Sequence, residues 1–163
     1  MIKAAIFDLD GTLVNLPIDY GMLYKESREI IGTQHIEPIT ETVATLDTTL
    51  KQKVFDAWTD IEHYALPKTT KIKEGMKLYQ HHSDKPRALV TMQGKKTVEK
   101  ILTALNLSFQ VIITREDSLD RTTQIKMAIK KLRLKPENVI VFGDRETDQN
   151  AAETVGCIFK MVK

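Results

Sequence analysis

Cysteine is almost absent from this 163-residue chain, since Cys157 is the only one. A single cysteine excludes a disulfide within the chain and favours a reducing compartment. The sequence also lacks an apolar run long enough to span a membrane, and its first residues do not follow the pattern of a signal peptide. We therefore expect a cytoplasmic protein that has no membrane partner.

The chain also lacks an excess of one charge, because its 24 Lys and Arg are nearly balanced by 22 Asp and Glu, which gives a formal net charge of +2. This balance gives no support to a nucleic-acid partner, which would require a clustered basic face. Hydrophobic residues make up 42% of the chain, which argues for a packed core and against disorder. The length suits one domain or a core with a small insert, and the oligomeric state is left open.

Short apolar runs recur along the chain and are separated by segments with helical spacing. We predict strands at 2–7, 88–91, 111–113, 139–142 and 157–159. Between the later strands, apolar residues recur with a helical period, as at Val98, Ile101, Leu102 and Leu105. Such alternation predicts an α/β fold with a Rossmann-like parallel sheet and helices on both faces.

The segment 15–84 does not follow this alternation and lacks a strand pattern. Its apolar spacing predicts a helix over 17–31 that ends at Gly32, one long helix over 39–66, and a return helix over 72–82. We therefore predict an α/β core formed by 1–14 and 85–163, with 15–84 as a small helical insert after the first strand and its return helix.

Acidic residues follow two of the predicted strands. Asp8 and Asp10 come after the first strand and Asp144 after the fourth, while Thr91 ends the second. Ligands of parallel sheets bind at the carboxyl ends of the strands, so these side chains should meet at one edge. Three crowded carboxylates favour a divalent cation, and an all-oxygen site suits Mg²⁺.

Three short motifs resemble those of the haloacid dehalogenase-like (HAD) superfamily. Residues 8–12 read DLDGT and match its DxDGT signature, 90–91 read VT like its second motif, and 143–148 read GDRETD like its GDxxxD motif. The resemblance implies a HAD-like core with a helical cap, and a phosphatase similar to phosphoglycolate phosphatases.

The resemblance also implies a role for each matching residue. Asp8 would be the nucleophile that forms an aspartyl-phosphate, and Asp10 would protonate the leaving group and then activate water. Asp8, Asp144 and the backbone carbonyl of Asp10 would bind Mg²⁺, with Asp148 as a supporting residue behind these ligands. The phosphate would contact a group of residues around the two first motifs, namely Gly11, Thr12, Thr91 and Met92.

Two positions bear on the type of reaction and on the cation of the site within this family. Asp10 is an acid that a phosphatase needs for an alkoxide leaving group and a dehalogenase does not need for a halide, which favours phosphate chemistry. The family's third motif, which lies between its second motif and GDxxxD, supplies a cation, usually Lys, that pairs with Asp8 and the phosphate. This motif is irregular here, because no Lys-Pro occurs near 117–124. We assign this cation to Arg121, with Lys126 as the second candidate.

The sequence predicts a Mg²⁺-dependent phosphomonoester hydrolase that acts on a small phosphorylated metabolite. Two alternatives remain open. One is a phosphomutase of the β-phosphoglucomutase type, which would share the same acids. The other is a HAD fold that serves as a non-catalytic binding protein.

Overall fold

The computed structural model describes all residues from Met1 to Lys163. The strands are β1 Ala4–Phe7, β2 Val14–Asn15, β3 Thr70–Lys71, β4 Arg87–Val90, β5 Val111–Ile113, β6 Val139–Gly143 and β7 Ile158–Met161. The helices are α1 Tyr20–Ile31, α2 Ile39–Ala44, α3 Thr48–Ala65, α4 Lys73–His81, α5 Lys95–Leu105, α6 Arg121–Leu132 and α7 Glu146–Val155.

Five strands form a parallel sheet in the order β5-β4-β1-β6-β7. The central strand β1 is fully buried along its length, from Ala4 to Phe7. A strand that is covered on both faces must be apolar throughout, which explains the continuous run AAIF. The α/β parallel architecture predicted from the sequence is therefore confirmed, and the carboxyl ends of β1, β4 and β6 share one edge.

Two apolar layers cover the faces of this sheet. On one face, α4 and α5 pack over Phe7, whose ring stacks on Phe142 with ring centres 5.0 Å apart. On the other face, α6 and α7 pack over Ile6 and Val141. Cys157 is buried in this second layer just before β7, so the prediction that it belongs to the last strand is wrong by one residue.

Helices α1, α2 and α3 enclose a third, smaller core around Trp58. The Trp58 indole donates a hydrogen bond to Ser27 Oγ at 2.9 Å, which joins α3 to α1 inside this core. The two-stranded antiparallel pair of β2 and β3 connects this helical unit to the sheet. We did not predict β2 and β3, because two-residue strands leave no periodic pattern in the sequence.

The predicted long helix over 39–66 is wrong, because the chain forms two helices there. Asp47 accepts a hydrogen bond from the Leu50 backbone N–H at 2.8 Å and starts α3 as its N-cap. The side chain of Thr45 hydrogen-bonds the Thr42 carbonyl at the end of α2. These local bonds satisfy the backbone groups at the break, although the apolar spacing continues through it.

The return helix α4 contacts the sheet core through Tyr79, whose phenol accepts a hydrogen bond from the Ser108 N–H at 2.9 Å. The division of the chain into core and insert remains a prediction. None of the helices combines the length and the apolarity needed to cross a bilayer.

Candidate active site

Three carboxylates meet at the carboxyl edge of the sheet. Asp8 directly follows β1, Asp144 directly follows β6, and Asp148 lies in the first turn of α7. One oxygen of each lies within 4.8 Å of the others. The structure therefore brings Asp8 and Asp144 together, as the strand pattern predicted, and adds Asp148 to the group.

Arg121 lies against this cluster at the start of α6. Its Nη2 is 3.2 Å from Asp8 Oδ1, and its Nε is 3.2 Å from Asp148 Oδ1. A third contact, from Nη1 to Gln124 Oε1 at 3.1 Å, fixes the guanidinium on its own helix. Lys126, the second candidate for the cation, is exposed on α6 and forms no ion pair.

Burial controls the electrostatics of Asp8. Desolvation raises the pKa of this carboxyl to about 7, the Arg121 guanidinium opposes the rise, and the charge of Asp148 adds to it. A further cation bound beside Asp8 would therefore favour the ionised form of this carboxyl.

Asp10 belongs to a tight turn that leaves β1. Its Oδ1 accepts a hydrogen bond from the Leu16 N–H at 2.9 Å, and the Gly11 N–H donates to the Val14 carbonyl at 2.7 Å. Partial burial raises the pKa of the Asp10 carboxyl, against the opposing Leu16 hydrogen bond and the Arg145 charge. The Asp10 side chain lies outside the three-carboxylate cluster, which is compatible with a separate role for it.

The residues at this edge fit a magnesium ion. Asp144 Oδ1 is buried and has no hydrogen-bond partner, and such an orphaned oxygen is costly unless a cation or water satisfies it. Burial, followed by the charge of Asp148, raises the pKa of the Asp144 carboxyl. The donors are all oxygen atoms, as Mg²⁺ prefers, and neither cysteine nor histidine belongs to the group.

Asp148 lies beside both the Arg145 backbone and the other two carboxylates. Its Oδ2 accepts a hydrogen bond from the Arg145 N–H at 3.2 Å, which is the supporting contact expected of a residue behind the ligands. One of its carboxylate oxygens also lies within 4.8 Å of oxygens of Asp8 and Asp144, so it is a third member of the cluster. Gly143 makes this approach possible, because a Cβ there would lie 2.6 Å from Asp148 Cβ.

The predicted phosphate-binding residues are unequally accessible. Thr91 is buried, and its hydroxyl donates to the Gln93 side chain while accepting from the Gln93 N–H. Thr12 is fully buried with an unpaired Oγ1. Met92 lines the cavity above the acids. Gln93 was not predicted, since an amide two residues after a strand has no distinctive pattern.

Gln124 is a further residue that the sequence did not reveal. Its side-chain amide donates hydrogen bonds to the carbonyls of Thr91 at 2.9 Å, Thr114 at 3.2 Å and Ser118 at 2.9 Å. Since its oxygen also accepts from Arg121, it ties the ends of β4 and β5 to the guanidinium. Its position one helical turn after Arg121 was the only available signal.

A cavity of about 640 Å³ opens above the acids and reaches the helical insert. Asp8, Asp10 and Arg121 line its floor, and Tyr20 and Trp58 line its wall on the insert side. This volume is typical of sites that bind small molecules. The arrangement thus combines an anionic cluster, a fixed guanidinium and an enclosed space for a ligand.

A buried ion pair forms another part of the cavity wall. Arg115 Nη1 lies 2.6 Å from Glu62 Oε2, and both side chains are at most 2% exposed. Arg115 also donates to Thr59 Oγ1 at 2.8 Å, and Glu62 accepts from Thr97 Oγ1 at 2.8 Å. This pair joins α3 to the sheet core, and its 53-residue separation hides it from sequence analysis.

Replacement of Gly11 by Ala is expected to lower Mg²⁺ affinity about 10- to 100-fold. Gly11 has φ of +86°, and an added Cβ would lie 2.1 Å from Asp144 Oδ2, so the carboxylate must move. Gly32 is a matched control, since its φ is +82° but nothing lies within 4 Å of an added Cβ. Gly32→Ala should cost about 1–2 kcal/mol of stability and leave Mg²⁺ affinity unchanged. Calorimetric titration measures both affinities, and equal losses in the two variants would contradict the assignment.

Comparison with known proteins identifies the family. The sequence model of haloacid dehalogenase-like hydrolases matches residues 19–162, which is most of the chain. No curated protein sequence matches this chain significantly.

Solved structures share the fold at low sequence identity. A haloacid dehalogenase-like family hydrolase from Streptococcus pneumoniae is 19% identical with a TM-score of 0.70, and the match covers 99% of this chain and 85% of that one. A Lactobacillus plantarum protein provisionally named phosphoglycolate phosphatase is 18% identical with a TM-score of 0.65, over 98% and 86% of the two chains. A Thermotoga maritima protein provisionally named β-phosphoglucomutase is 17% identical with a TM-score of 0.66, over 99% and 86%.

These likenesses support the fold, and the sequence model supports the family. The parallel sheet with helices on both faces agrees with this fold. The resemblance seen in the three sequence motifs is therefore confirmed: this chain belongs to the haloacid dehalogenase-like hydrolase family.

Proposed function

We propose that this protein is a Mg²⁺-dependent phosphomonoester hydrolase that acts through an aspartyl-phosphate intermediate. The contact between Asp8 and Arg121, at 3.2 Å beside Asp144 on the cavity floor, carries this proposal. It pairs a nucleophile with a cation that can also bind the phosphoryl oxygens. Charge stabilisation of this kind supplies most of the catalysis in phosphoryl transfer.

Asp8, Asp144 and the backbone carbonyl of Asp10 would hold Mg²⁺, and Asp148 lies close enough to Asp8 and Asp144 to contribute or to orient a water ligand. When bound, the ion neutralises negative charge so that an anionic nucleophile can approach an anionic ester. It would thereby shift Asp8 towards the ionised form that attack requires.

The chain's own residues then divide the reaction into two steps. An oxygen of Asp8 attacks phosphorus, a bond forms between them, and the ester P–O bond breaks as Asp10 gives its proton to the leaving oxygen. Asp10 next takes a proton from water, whose oxygen attacks phosphorus and releases Asp8 and inorganic phosphate. The raised pKa of Asp10 suits a carboxyl that must begin protonated.

The test is a phosphatase screen over small phosphorylated metabolites and p-nitrophenyl phosphate, with Mg²⁺ and with EDTA. We expect phosphate release that depends on Mg²⁺. The absence of release from every ester would contradict the proposal and favour a non-catalytic binding protein. Transfer of the phosphoryl group to a sugar phosphate in place of water would favour the phosphomutase alternative.

Replacement of Arg121 by Ala is expected to reduce kcat about 10²- to 10³-fold, as for the loss of one charge-stabilising donor. The physical reason is its direct contact with Asp8, which Lys126 lacks. Lys126→Ala removes the same charge from the exposed face of α6 and serves as the control. The initial rates of p-nitrophenyl phosphate hydrolysis compare the variants. If Lys126→Ala lost activity and Arg121→Ala kept it, Lys126 would be the cation of the site.

A further inference from the structure

Three arginines line the cavity, and they differ in how their charge is satisfied. Arg115 is paired with Glu62, and Arg121 is paired with two carboxylates of the cluster. Arg145 also lines the cavity but forms no ion pair. Asp10, Asp144 and Asp8 attract its charge from beyond ion-pair distance, and no side-chain oxygen of the three forms a salt bridge with it, so its guanidinium keeps donors for an anion in the cavity.

The position of Arg145 is set by the same edge that carries the acids. It directly follows Asp144 and precedes α7, so its backbone is fixed while its side chain is exposed. Tyr20, the first residue of α1 in the helical insert, lies beside it and is 46% exposed. Because a phenol is neutral at ordinary pH, Tyr20 can orient the guanidinium but cannot neutralise it.

The phosphoryl group itself already has partners. Arg121 and the Mg²⁺ ligands surround the point where Asp8 would attack, and the cavity extends beyond them to about 640 Å³. A substrate that fills this space therefore has atoms beyond its ester phosphate. Arg145 lines the same cavity and is the arginine there that forms no ion pair. The planar guanidinium favours bidentate binding of a carboxylate or a phosphate.

We propose that Arg145, oriented by Tyr20, binds a second anionic group of the substrate. The substrate class is then a phosphomonoester that also carries a carboxylate or another phosphate. This inference rests on the proposed phosphatase function and adds the chemistry of the substrate to it.

The test measures binding as well as turnover, with two ligands that differ in one group. In 3-phosphoglycerate a carboxylate stands where glycerol 3-phosphate has a hydroxymethyl group. Their dissociation constants are measured by calorimetry with Mg²⁺ in the Asp8→Asn protein, which should bind without hydrolysis. We expect 3-phosphoglycerate to bind at least about tenfold more tightly, as a charge-assisted bidentate contact allows.

Adding Arg145→Gln should abolish this preference by weakening 3-phosphoglycerate binding alone. Lys131→Gln removes one exposed positive charge at the end of α6, outside the cavity, and should leave the preference unchanged. In the catalytically competent protein, Arg145→Gln should raise KM for 3-phosphoglycerate at least about tenfold more than it raises KM for p-nitrophenyl phosphate, which has no second anionic group.

Equal binding of the two ligands would overturn the inference. So would an equal weakening of both by Arg145→Gln, since Arg145 would then contact the ester phosphate or act only through its general charge. Hydrolysis of p-nitrophenyl phosphate without any preference for 3-phosphoglycerate would reject this inference and leave the phosphatase function standing. Preferential binding without hydrolysis of any ester would support the second anion site and reject the phosphatase function.

Discussion

Replacement of Asp8 by Asn should reduce phosphate release by about 10⁴-fold or more, the largest effect on activity that we expect from any single substitution. An amide has nearly the same shape as the carboxylate but cannot form the acyl-phosphate bond. Single-turnover measurements with p-nitrophenyl phosphate test the loss.

The same substitution should stabilise the protein when Mg²⁺ is absent. Burial raises the pKa of Asp8 from 3.8 to about 7, so between these values the folded state holds a proton that the unfolded chain has lost. Stability must therefore fall as pH rises through this window, by about 1.4 kcal/mol for each unit by which the pKa is raised. Asparagine does not ionise, so the free energy of unfolding of Asp8→Asn lacks this decrease with pH.

Urea unfolding in EDTA from pH 4 to pH 8 tests this sign. The stability of Asp8→Asn relative to the wild type should rise with pH and level off above about pH 7. Asp60→Asn, which changes an exposed carboxylate on α3, is the matched control and should show no such trend. A wild type that gains stability relative to Asp8→Asn as pH rises would contradict the burial argument.

Loss of one partner of the buried ion pair between Arg115 and Glu62 should produce the largest effect on stability. Glu62→Gln leaves the guanidinium buried without its countercharge, and Arg115→Met leaves the carboxylate in the same condition. Each should cost about 3–5 kcal/mol, a large part of the stability of an ordinary domain. The reason is that both side chains are at most 2% exposed, so water cannot replace the missing partner.

A double-mutant cycle isolates the interaction. The Arg115→Met and Glu62→Gln combination should be destabilised by less than the sum of the two single losses, because no unpaired buried charge remains. The control is Asp84→Asn, which breaks the exposed pair with Lys85 and should cause no measurable change. Additive losses in the cycle would show that Arg115 and Glu62 act through their other contacts.

The ion pair also connects α3 to the start of α5 at the cavity wall. Glu62 accepts hydrogen bonds from Thr97 and from the Gly94 N–H, both at the start of α5. A Cβ on Gly94 would lie 2.6 Å from Arg115 Nη2, so the glycine makes room for this contact. These bonds hold one wall of the cavity in place. Tyr20 and Arg145 lie beside each other elsewhere in its lining.

The helical insert shows where periodicity stops being informative. Apolar spacing predicted one helix over 39–66, and the same spacing persists in α2 and α3 because both helices pack around Trp58. The break between them depends on two hydrogen bonds that compete locally with helix continuation: Asp47 accepts one from the Leu50 N–H, and Thr45 donates one to the Thr42 carbonyl. The apolar pattern of a buried helix face extends over many residues of the sequence, whereas a helix cap changes the backbone path at a single position.

The features of the candidate site can likewise be divided into those that the sequence predicts and those that it does not. The sequence by itself determined the parallel sheet and the positions of Asp8, Asp10 and Asp144, because buried strands are continuous apolar runs and the residues after them share one edge. It also placed Arg121 at the start of a helix after the third strand of the core. These assignments depend on chain order and periodicity, both of which can be read without coordinates.

Only the tertiary structure decided which side chains touch. It set Arg121 against Asp8 and Asp148, placed Asp148 within the acidic cluster, and left Arg145 without an ion pair. It also paired Arg115 with Glu62 across the cavity wall. Such contacts depend on how helices of the insert and the core pack in space, and no pattern within one segment encodes a distance to another segment.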